Sequence, residues 1–73
     1  MAKLAAKSEV SGSVCKIEVV FGQKVAEGDT LVLIESMKME IPVIAEQAGT
    51  VASILVADGG AITEGQSVVT LET

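Results

Sequence analysis

Two apolar runs dominate the middle of the chain, Thr30-Leu31-Val32-Leu33-Ile34 and Ile41-Pro42-Val43-Ile44, both rich in residues that favour extended backbone. The short polar link between them reads as a hairpin connection. On either side, in Val14–Val20 and again in Val51–Ala57, apolar residues recur at every second position, the period of a half-buried strand. This alternation predicts Cys15, Ile17 and Val19 on an inner face, matched by Ala52, Ile54 and Val56. Lys16 and Glu18 fall on the other face, matched by Ser53 and Leu55. Farther along, Val32, Ile34, Val69 and Leu71 are the best inward candidates, and Thr70, opposite Leu33 in the same pattern, marks a less buried face.

The pattern is written twice. Sliding the chain by 37 residues aligns Ser11–Ser36 with Ala48–Thr73 without a gap. Identical pairs include Gly12/Gly49, Val14/Val51, Ile17/Ile54, Val19/Val56, Gly22/Gly59, Glu27/Glu64, Gly28/Gly65, Val32/Val69 and Glu35/Glu72. Each copy is too small to bury its own apolar face, so the two must pack against each other as a quasi-twofold, all-β barrel. The glycines end strands and open turns; neither a P-loop spacing nor a Gly-x-Gly-x-x-Gly run accompanies them, which argues against phosphate binding. The copies end at Ser36, which matches Thr73, so Met37 and Lys38 have no counterpart and form the seam between halves.

Composition narrows the functional classes. A chain of 73 residues is one small domain, a size that buries only roughly 60% of its unfolded surface and leaves little room for a catalytic cleft. The opening Met1-Ala2-Lys3-Leu4-Ala5-Ala6-Lys7 has no apolar core long enough for secretion, and residues 1–8 read as a flexible N-terminal leader before a domain over 9–73. A net charge of −5, with lysines but no arginine and a single aromatic, Phe21, is the wrong character for nucleic acid. No apolar run reaches the length of a membrane span, so membrane insertion is not expected either. Cys15 is the only cysteine and histidine is absent, which leaves no internal disulfide, no zinc site of ordinary composition, and a cytoplasmic setting as the expectation.

The candidate chemistry lies at the seam. Two-residue hairpin turns need positive φ and favour Asn-Gly or Asp-Gly, whereas Glu35-Ser36-Met37-Lys38-Met39-Glu40 places Met37 and Lys38 there. Departures from local rules concentrate at functional sites. Lysine has an ordinary pKa of about 10.4, so near pH 7 only about one amine in 2,500 is the free nucleophile, and the chain has no histidine to act as its base. Lys38 therefore reads as a group that others modify.

Met37-Lys38-Met39, bracketed by Glu35 and Glu40, resembles the attachment motif of biotinyl (biotin carboxyl carrier) domains, and the resemblance extends from about Val10 to Glu72. Related lipoyl domains place an acidic residue where this chain has Met37. Ser36 stands where alanine is common, and no insertion supplies the protruding thumb of some bacterial carriers. The resemblance implies a flattened barrel or sandwich of two four-stranded antiparallel sheets, with Lys38 on an exposed hairpin. It further implies that a biotin protein ligase joins biotin to Lys38 in amide linkage, with Met37 and Met39 serving recognition. The biotinylated chain would then be a non-catalytic carrier, moving carboxybiotin between a biotin carboxylase and a carboxyltransferase. A lipoyl carrier, or an unmodified barrel acting as an interaction module, are the alternatives.

Overall fold

Short aliphatic runs punctuated by glycine turns leave extended pairing as the way to satisfy the backbone, and every regular element among the described residues is a strand. The computed structural model describes residues 2–73. Its elements are β1 (Lys3–Lys7), β2 (Gly12–Ile17), β3 (Lys24–Val25), β4 (Thr30–Ser36), β5 (Met39–Ile44), β6 (Gly49–Ile54), β7 (Ala61–Ile62) and β8 (Ser67–Glu72). They form two four-stranded antiparallel sheets with orders β1-β8-β6-β3 and β5-β4-β2-β7.

The 37-residue offset maps one sheet onto the other: β2 onto β6, β3 onto β7, β4 onto β8 and, across the seam, β1 onto β5. Loop hydrogen bonds repeat as well. The Gly28 N–H donates to the Ala45 carbonyl at 2.8 Å, and the Gly65 N–H donates to the Ser8 carbonyl at 2.8 Å. The core lies between the sheets, with Leu31, Val32, Ile34, Val51, Val68, Val69 and Leu71 essentially inaccessible to solvent. Val32, Ile34, Val69 and Leu71 thus face inward as the alternation predicts, and Leu33 and Thr70 are only partly buried.

Two expectations are corrected. Residues 3–8 are not a leader: β1 pairs with β8 from Lys3↔Glu72 to Lys7↔Ser67, and Ser8 is buried with its hydroxyl donating to the Val10 carbonyl at 2.6 Å. The repeat itself continues through this segment, since residues 2–10 match 39–47 with Ala6 opposite Val43 and Glu9 opposite Glu46. β1 is the second copy of β5, displaced to the other end of the chain. Met1 lies outside the described residues.

Cys15 does not point inward either; it is exposed, and Val14 occupies the core instead. The cause is a β-bulge. Val14 pairs with Ile34 and Lys16 with Leu33, so Cys15 is an extra residue and the inside–outside alternation restarts beyond it. The second half does the same at Ala52, between Val51↔Leu71 and Ser53↔Thr70, which leaves Ala52 only partly buried. Past the bulges the alternation holds: Val19 is buried, and Ile17, Ile54 and Val56 pack against the core.

Candidate functional site

The β4–β5 hairpin closes through Met37 and Lys38, with Ser36 directly opposite Met39. Both turn residues have positive φ, 52° at Met37 and 65° at Lys38, and they are the only non-glycine residues among those described that do. A pair of left-handed residues matches the twist of the flanking strands, as in a type I′ turn. Each left-handed L-residue costs about 1–2 kcal/mol against the ordinary conformation, a strain that glycine would avoid. The two long β4 and β5 ladders beneath hold the turn in place.

Its side chains project into solvent. Met37 is 92% exposed and Met39 62%, Lys38 between them is exposed, and no carboxylate among the described residues lies within ion-pair distance of its ammonium. The strain falls on Met37 and Lys38, both of them exposed, so the hairpin presents Lys38 at the cost of local stability rather than using it for packing.

Below the turn, Glu35 and Glu40 face each other across the ladder, a like-charge pairing that favours cations nearby. Strand β2 runs alongside with Ser13 opposite Glu35. Gly12 permits that approach, because a Cβ there would overlap the backbone carbonyl oxygen of Glu35; Gly49 repeats the arrangement in the other half, where a Cβ would stand 2.7 Å from the Glu72 carbonyl oxygen. The bulge turns Cys15 toward this end, and its thiol donates to a Glu40 carboxylate oxygen at 3.5 Å. That hydrogen bond, with slight desolvation and the negative charges of Glu40, Glu35 and Asp58, raises the thiol pKa above its ordinary value. Sequence alternation concealed the Cys15–Glu40 contact, since nothing in the residue pattern marks where the bulge falls.

Among the described residues no group of three or more acidic, cysteine or histidine side chains could hold a metal ion, and no helix is long and apolar enough to cross a membrane. An exposed primary amine with no built-in base is suited to receiving an acyl group from another protein.

The family model described as "Biotin-requiring enzyme" matches residues 4–73. The chain belongs to this biotin and lipoyl attachment family. It is 50% identical over 46 residues to the Biotinylated protein TB7.3 homolog of Mycobacterium leprae (strain TN), covering 63% of this chain and 65% of that one. With the Mycolicibacterium smegmatis (strain ATCC 700084 / mc(2)155) homolog the identity is 56% over 39 residues, or 53% of this chain and 55% of the relative. The chain thus spans 65% or less of the length of these curated relatives. Among solved structures, the Kluyveromyces lactis urea carboxylase matches with a TM-score of 0.94 at 30% identity, over 99% of this chain and 6% of that one. A single-chain, multi-domain long-chain acyl-CoA carboxylase gives a TM-score of 0.87 at 25% identity, over 93% and 7%. The protein is a biotin carrier domain, and biotin is its cofactor.

Proposed function

We propose that Lys38 is the attachment residue and that this carrier domain serves a biotin-dependent carboxylase without catalysing a step itself. One observation carries the reading: the strained Met37–Lys38 turn presents an exposed amine at the seam of the repeat. The residues present fit a covalently held biotin, because amide formation needs an accessible primary amine and room around it, both of which the turn provides.

The chain's own part is to bind and orient. Met37 and Met39 offer soft, adaptable surface to an approaching ligase, and the rigid β4–β5 ladder sets the direction of Lys38. The chain has no histidine to take a proton from Lys38, so the proton leaves to a base of the ligase during acylation. When bound, biotin supplies a ureido nitrogen able to carry a carboxyl group. The tether confines that group near the partner active sites at effective concentrations in roughly the mM range. The partners in this reading are a biotin protein ligase, a biotin carboxylase and a carboxyltransferase. The acidic surface suits basic docking faces on them, and the lone free thiol suits the cytoplasm.

Co-expression with a biotin protein ligase tests the assignment. Streptavidin should capture the native chain and release the Lys38→Arg variant, while both give the same far-UV circular dichroism. Capture of the folded Lys38→Arg variant would refute it.

A further inference from the structure

Both methionines among the described residues lie next to Lys38, and both are open to solvent, Met37 at 92% and Met39 at 62% exposure. Packing does not account for them. The core is filled by valine, leucine, isoleucine and alanine, and the thioethers contribute nothing to it. An exposed thioether is oxidised by peroxides, whereas the thiol at this end, Cys15, is held in its less reactive protonated form by Glu40.

We propose that Met37 and Met39 form a reversible oxidation site that controls acylation of Lys38. The inference rests on Lys38 being the attachment residue. In the step itself the thioether sulfur takes one oxygen atom from hydrogen peroxide: an S–O bond forms, the O–O bond breaks, methionine is oxidised by two electrons, and the peroxide is reduced to water. The flexible apolar side chain becomes a polar, chiral sulfoxide. A ligase that encloses the Lys38 amine also covers the residues on either side, and burying a polar sulfoxide there costs a desolvation that burying a thioether does not. Met37 reacts ahead of Met39, in keeping with their exposures, and the acylation rate falls by about tenfold or more.

The test uses the full chain with Cys15→Ser, which removes competing thiol chemistry. It is treated with hydrogen peroxide, the oxidised positions are mapped by peptide mass spectrometry, and biotin incorporation by a ligase is timed. Sulfoxide at Met37 first, slowed incorporation, and recovery after methionine sulfoxide reductases A and B support the proposal. Unchanged incorporation into chain oxidised at Met37, a loss that the reductases do not reverse, or methionines that resist peroxide would each overturn it. Failure of the untreated chain to accept biotin would sink the attachment reading as well, which separates the two.

Discussion

Replacing Met37 and Lys38 together by Asn-Gly should make the domain more stable while ending its modification. Both positions are left-handed, at φ 52° and 65°, and the two L-residues together carry about 2–4 kcal/mol of conformational cost. Asparagine tolerates this region and glycine pays no Cβ penalty there, although glycine gives back about 0.5–1 kcal/mol through its greater freedom in the unfolded chain. Residual strain at asparagine lowers the gain further, to roughly 1–2 kcal/mol. For a domain of this size each kcal/mol moves the melting temperature by roughly 4–8 °C. Urea denaturation followed by far-UV circular dichroism reads the change directly, with the slope expected to stay constant because the buried surface is unaltered. Lys38→Gln alone is the control for the lost charge beside Glu35 and Glu40, a surface effect worth about 0–1 kcal/mol. A double variant no more stable than that control would refute the claim that the turn stores strain.

Two further outcomes follow from the neighbourhood of the turn. Gly12→Ala should destabilise by roughly 2 kcal/mol or more and by a larger amount than Gly49→Ala, since the added methyl at Gly12 meets the Glu35 carbonyl more closely than its counterpart meets that of Glu72; urea midpoints of the two variants give the comparison. Cys15 should react with a disulfide reagent over a pH range shifted upward from an ordinary thiol, because Glu40 accepts its hydrogen and adds negative charge. Glu40→Gln removes that charge and should lower the midpoint of the rate-against-pH curve; an unchanged midpoint would count against the contact.

Much of this architecture was legible in the residues because the chain states its plan twice. A match such as Val32/Val69 or Ile17/Ile54 requires one residue to suit two equivalent environments, which separates packing from coincidence. The seam stood out because the first copy ends at Ser36, immediately before Met37 and Lys38, and because neither residue prefers the backbone that a two-residue hairpin needs. Two features were hidden. β1 has weak strand character, with Ala6 and Lys7 in place of Val43 and Ile44, so its equivalence to β5 is carried by register against β8 more than by its own composition. The bulges at Cys15 and Ala52 leave no mark on residue type, yet each reverses the face assigned to every residue before it. Tertiary pairing decides both, and it is this pairing that carries Cys15 to Glu40.

Whether the amine at the seam receives the vitamin is read most directly by peptide mapping of the chain isolated from its own cells. The account predicts a single biotinyl group, on Lys38, with Lys3, Lys7, Lys16 and Lys24 unmodified. Biotin on any of those four lysines, or none on Lys38, would contradict it.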